Sequence, residues 1–396
     1  MTQRGSDLAA AGAAMLAFLA AGCGVTLWKP AASGADPYRA YMDAMATLRQ
    51  AAEDPDPVTR SNAIEALSRT VGAEAGPLFQ QSLSDPYPSV RFAAAMAMGD
   101  VGYQPALAQL RQMAGHDRAS SQAEPDKRVF CAVIYAMHKM GDTTFTGELG
   151  SLLMDQEQEV RADAAMVMGR MHEPSGITPL KVQLDQEQDP SVQLQLLESL
   201  ALLGDEQSAI RMEAHTKTQY MEDRLVAIAA MEQGEPSRAR IVLAHLVSEK
   251  QPPRVRVAAA GTLAKLGQTN RDLYKLASRA AQDPDAVMSK AGTTQEPPTQ
   301  FEVRSLQRLA AIALGWMDRQ EAVDILRPLL NSQDGGVKVA SAMSIVRLLK
   351  AYRPVSPAVA EKAEQEQAGQ AEQAESKPAQ PSSRPAMQLH TAEGKD

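Results

Sequence analysis

The chain has 396 residues, 44% hydrophobic but only 4% aromatic, and a formal net charge of −8. That acidity excludes a general nucleic-acid binder, which needs a basic face. Abundant Ala and Met with few aromatic residues favour helices over sheet. Two cysteines, Cys23 and Cys131, exclude a disulfide framework and a cysteine-based zinc site.

The first residues form a polar head holding Arg4 and Asp7, followed by the uncharged apolar stretch 8–21. Fourteen residues fall short of the roughly 20 needed to span a bilayer and match the apolar region of a signal peptide. The stretch ends in Leu19-Ala20-Ala21-Gly22-Cys23, which resembles the lipobox of bacterial lipoproteins. The resemblance implies cleavage before Cys23, lipidation of its thiol and anchoring to the cell envelope. Gly24 in place of an acidic residue implies the outer membrane, facing the periplasm. Two departures stand against it: Leu19 lies four places before the cysteine where the family has three, and Asp7 opposes Arg4 in the head. An ordinary cleaved peptide or a signal anchor is the alternative. The expected organisation is a signal peptide over 1–22, a tether over 23–36, a repeat body over 37–353 and a low-complexity tail over 354–396.

Within the body, one pattern recurs. Val90-Arg91-Phe92-Ala93-Ala94-Ala95-Met96-Ala97-Met98-Gly99 is echoed at Val160-Arg161-Ala162-Asp163-Ala164-Ala165-Met166-Val167-Met168-Gly169 and again from Val255 to Gly267. With Val90 as position 1 and Gly102 as position 13, nine copies start at Thr59, Val90, Val129, Val160, Val192, Glu222, Val255, Leu306 and Val337, at spacings of 30–51 residues. The copy at Glu222 is degenerate. Each copy reads as two helices. A first apolar helix, such as that around Ala106–Leu110, is broken by Asp-Pro at Asp54-Pro55, Asp85-Pro86, Asp189-Pro190 and Asp283-Pro284. In the second helix, positions 1, 5, 9 and 12 share one side. Glycine at position 10 or 13 ends the helix or permits close crossing.

These residues resemble HEAT repeats, specifically the short type found in phycobilisome-lyase-like arrays, over about residues 38–352. The resemblance implies an all-α, right-handed α-solenoid of about nine HEAT-like helical hairpins, because one hairpin cannot bury its own apolar face. Nine stacked pairs predict a rod or crescent of about 80 Å, from the usual helix spacing of 8–10 Å. Arg60, Arg91, Arg161 and Arg256 at position 2 read as a structural ladder pairing with acids of the preceding turn, such as Asp85 for Arg91. Two insertions, 115–125 and 283–301, fall between paired helices on one edge; a binding face and neutral loop growth are both open there. The tail over 354–396 lacks large apolar residues and reads as disordered.

No catalytic constellation emerges. Deoxyhypusine hydroxylase, a HEAT-type enzyme, carries His-Glu pairs at positions 3 and 4, and here no copy does; His172-Glu173 follows a helix end. Nothing marks a bilin site. The expectation is therefore no enzyme, no cofactor and no metal. Cys131, at position 3, reads as a buried small hydrophobe. In HEAT solenoids the second helices line the concave face, so positions 3, 4, 7 and 11 face it. Phe92, Met96, Tyr135 and Met166, with Lys139 and Arg170 at position 11 and Trp316 near the second insertion, are the candidate contacts for a partner protein or peptide. The expected function is an envelope-anchored scaffold or adaptor, touching the membrane through its lipid only. The alternative is a lyase-like accessory protein assisting cofactor attachment to a client.

Overall fold

The computed structural model describes residues 36–115, 124–290 and 297–353; the expectations on residues 1–35, Cys23 included, and on the tail from 354 lie outside the described residues. By contacts the chain divides into Met1–Ala351 and Tyr352–Asp396. The first unit is built from nine helical hairpins, and no strand occurs among the described residues. The pairs begin with α1 (Pro37–Ala51) and α2 (Pro57–Thr70), α3 (Gly76–Ser82) and α4 (Pro88–Val101), then α5 (Leu107–Met113) and α6 (Lys127–Lys139). They continue with α7 (Leu149–Leu152) and α8 (Gln158–Met171), α9 (Ile177–Gln186) and α10 (Pro190–Leu202), α11 (Glu206–His215) and α12 (Met221–Ala230). The last are α13 (Pro236–Leu246) and α14 (Pro253–Lys265), α15 (Arg271–Gln282) and α17 (Gln300–Trp316), α18 (Ala322–Leu326) and α19 (Gly335–Leu348); α16 (Pro284–Lys290) belongs to the second insertion. Every copy of the sequence template lies on the second helix of its pair.

Local chemistry explains where those second helices start and stop. Asp56, Asp126 and Asp189 cap α2, α6 and α10, each accepting from two backbone N–H groups of the first turn; such a cap contributes about 1 kcal/mol. The Asp-Pro signals split in role. Asp189-Pro190 is the cap and first residue of α10. Asp54 and Asp85 instead close a turn two residues earlier, accepting from the N–H of Asp56 and Tyr87. At position 13 the backbone turns left-handed in Gly102, Gly141, Gly204 and Gly267, with φ between 63° and 91°. His172 and Asp318 occupy the same position with φ of 59° and 50°.

Position 10 has a different task. A Cβ on Gly99 would lie 2.6 Å from the Tyr135 ring, and one on Gly169 would lie 2.8 Å from the Ser199 Cα. Gly315 faces Ser344 in the same way, with its Cα 2.9 Å from such a Cβ. Glycine here lets α4, α8 and α17 touch the backbone of the next second helix.

The arginines at position 2 form a ladder, with partners other than those expected. The Arg91 guanidinium donates to the carbonyls of Asp85 and Pro86 in its own turn. Its fork reaches forward to both carboxylate oxygens of Glu124, at 2.8 Å each, in the following repeat. Asp85 serves Arg60 of the preceding repeat, and Glu187 likewise serves Arg161. Arg256 donates to the Val247 carbonyl within its own hairpin, whereas each of these three rungs ties one hairpin to the next. Arg224 donates to the Thr216 carbonyl and to Gln251 in the same manner. That makes Arg224 position 2, so the degenerate sixth copy starts at Asp223, one residue later than expected. The burial of Ala227 and Ile228 and the exposure of Val226 agree with the shift.

The array does not end as a rod or crescent. Each second helix packs on the next from α2 through α19, and α19 packs back onto α1 and α2. The nine second helices thus form a closed ring, with the first helices outside. At the closure Gly335 lies so near Thr59 that a Cβ would collide with its side chain, and Arg327 reaches Asp43 at 3.4 Å.

Candidate functional site: the lumen of the ring

Closing the ring turns the expected concave face into an interior wall. Positions 3, 4, 7 and 11 of the second helices line it, and two cavities lie against it. The first, about 290 Å³, is bounded by α2, α4 and α8 with Arg128 of α6. Its apolar surface comes from Phe92, Met96 and Met166; Glu65, Arg69, Asp100, Arg128 and Arg170 supply charge. The second, about 300 Å³, is bounded by α12, α14, α17 and α19 and the end of α2. Arg69 lines both.

The seven candidate contacts are distributed unevenly. Phe92, Met96, Met166 and Arg170 meet in the first cavity, although Met96 is only 5% exposed. Tyr135 was expected to face outward and does not: it is 3% exposed, wedged against Gly99, and its hydroxyl donates to Asp100 at 2.6 Å. Arg170 donates to both oxygens of Asp100 and lies 5.4 Å over the Tyr135 ring. Burial, then the bond to Asp100, holds the phenol protonated well above its ordinary range. Tyr135 therefore fixes the wall and offers no surface. Lys139 is exposed at the end of α6 and lines neither cavity. Trp316 belongs to the second cavity, with the Arg347 guanidinium 3.2 Å from its ring centre and Lys265 Nζ 5.5 Å away.

Residues that the sequence reading passed over include Asp100, Lys265 and Arg347. All three sit at position 11, beside Arg69, Arg170 and Trp316, so tabulating that one position across all copies would have revealed them. Cys131 is fully buried, and burial pushes its thiol up to about 12, which leaves it unreactive. Among the described residues no group of three or more His, Cys, Asp or Glu is placed to hold a metal ion. No helix among them is long and apolar enough to cross a membrane.

The family model described as HEAT repeats matches residues 45–124 and 146–232. Nine hairpins carry the template, so the body is an α-solenoid of HEAT-like repeats. Among solved structures, human deoxyhypusine hydroxylase in complex with glycerol is similar at 18% identity and a TM-score of 0.34, covering 71% of this chain and 98% of that one. Kap121p is similar at 12% identity and a TM-score of 0.25, covering 76% of this chain and 37% of its own. At such scores neither likeness bears on activity. None of the curated proteins compared matches the sequence.

Proposed function

We propose that this HEAT-repeat protein is a non-catalytic adaptor, anchored to the bacterial envelope through a lipid on Cys23, that holds a segment of another protein inside its ring. HEAT repeats commonly serve protein interaction, which supports the general role. The observation that carries the site is the first cavity. Phe92 and Met96 of α4 and Met166 of α8 form an apolar floor, and charged side chains of both signs surround it. Methionine adapts its shape to a guest, and a mixed-sign rim suits polypeptide better than a uniformly charged ligand. A partner would seat one or two apolar side chains on this floor.

Capture from envelope extracts by the full chain tests the reading. Phe92→Ser combined with Met166→Ser is expected to abolish capture while the helical circular dichroism stays unchanged; both side chains are only partly buried. Undiminished capture by that folded variant overturns the site. Anchoring is tested separately: mass spectrometry of the mature amino terminus is expected to find acylated Cys23, and Cys23→Ala to release the protein from membranes.

A further inference from the structure

The second cavity differs in chemistry from the first and is independent of the adaptor reading. Its wall is apolar, from Leu225, Ile228, Leu309, Ile312 and Met343, and Gly261 stands at position 7, which Met96, Met166, Ile312 and Met343 hold in their copies. A Cβ on Gly261 would lie 3.2 Å from the Ala313 Cβ, so this glycine brings α14 close against α17. Four cations reach the lining, Arg69, Lys265, Arg347 and Lys350, and no carboxylate does.

Two of those cations are compensated nearby, Arg69 by Glu65 and Lys265 by Glu232 at 2.8 Å. Neither Arg347 nor Lys350 has an ion pair among the described residues, and the one carboxylate that acts on Arg347, Asp318, does so from beyond contact distance. The Arg347 guanidinium is stacked on Trp316, and this partial desolvation lowers its pKa; an anion beside it would restore what burial removed. Cations near helix C-termini also satisfy the helix dipole, and Lys265 and Arg347 sit in such last turns. The dipole explains their charge but not the apolar wall that they adjoin.

The remaining polar groups decide between a polypeptide and an acyl chain. The uncharged polar residues in the lining are Thr70 and Thr262, and each hydroxyl already donates one turn back, to Ala66 at 2.6 Å and to Ala258 at 3.2 Å. The four cations can meet a peptide's C=O groups, but for its N–H groups the lining side chains offer only these two hydroxyl oxygens, and each N–H left unpaired costs about 1–3 kcal/mol. A hydrocarbon chain needs no such partner. A volume of about 300 Å³ lies at the small end of ligand pockets.

We propose that this second cavity binds a free single-chain amphiphilic carboxylate of the fatty-acid class, its chain against Leu309, Ile312 and Met343 and its head between Arg347 and Lys350. The test is isothermal titration of the full chain with dodecanoate below its micellar concentration, compared with dodecanol and dodecyltrimethylammonium. Trp316 fluorescence is followed in parallel. Dodecanoate is expected to bind at one site about tenfold more tightly than dodecanol, the difference that one partly desolvated charge contact of about 1.4 kcal/mol supplies. The cationic amphiphile is expected not to bind there. Arg347→Glu with Lys350→Glu, both exposed, is expected to erase the preference for the carboxylate, and Met343→Trp to block binding of either chain. Equal affinity for dodecanoate and dodecanol overturns the proposal. So does dodecanoate binding unchanged in both variants, each shown folded by its helical spectrum.

Discussion

His172 adopts a backbone conformation that L side chains resist, at a place where four other copies use glycine. The left-handed region costs a non-glycine residue about 1–2 kcal/mol, partly offset by the greater unfolded-state freedom of glycine. His172→Gly is therefore expected to raise stability by about 1 kcal/mol, read from the urea midpoint. The side chain is exposed, so little packing is lost. Position 10 runs the other way. In Gly169→Ala the new methyl would sit 2.8 Å from the Ser199 Cα, an atom that cannot rotate aside. A loss of about 1–3 kcal/mol is expected from the forced separation of α8 and α10, and an unchanged urea midpoint would show that the helices part freely. His172 strains a single backbone, whereas a side chain at Gly169 would push two helices apart.

Between elements, the arginine ladder does the joining. Glu187 is 8% exposed and accepts both arms of the Arg161 fork, which, helped by backbone and Gln183 donors, brings its pKa down from 4.5 to about 2. A carboxylate depressed in the folded state stabilises fully above its unfolded value and loses that contribution as pH falls towards the folded one. The rung at α8 is accordingly expected to weaken between about pH 4.5 and pH 2. Arg161→Met leaves Glu187 buried without its cation and is expected to cost about 3–5 kcal/mol near neutral pH. The same variant should flatten the acid limb of stability against pH, measured by denaturant unfolding across that range. An acid limb as steep as in the parent chain would contradict the assignment. Adding Glu187→Leu to Arg161→Met is expected to recover part of the loss, since the uncompensated charge is then gone.

On the scale of the whole solenoid, closure is the governing feature. An open array exposes the apolar faces of its terminal hairpins and usually needs polar caps. Here α19 and α1 with α2 cover each other, so the two ends serve as one another's caps. The contact depends on Gly335, where there is no room for a side chain against Thr59. Gly335→Phe is expected to break the closure and enlarge the radius of gyration in X-ray scattering, with helical content retained. An unchanged scattering curve would mean that the remaining α19 contacts suffice. Closure also encloses the two cavities, of about 290 and 300 Å³, along the inner wall.

Helices, hairpins and their register were legible in the residues, because caps, left-handed glycines and apolar spacing act within one turn or one repeat. The lumen-facing positions followed from that register, and Phe92, Met96, Met166 and Arg170 do converge on one cavity. Tyr135 escaped the reading since its burial depends on Gly99, a residue of the neighbouring repeat. The ladder partners Glu124 and Glu187 escaped it for the same reason, lying one hairpin ahead of their arginines. Ring closure was beyond any local pattern. It depends on the small rotation between successive pairs, which accumulates over nine repeats until residues 43 and 327 meet. A periodic sequence specifies each step of such a stack, but only the folded chain decides whether the steps add up to a full turn.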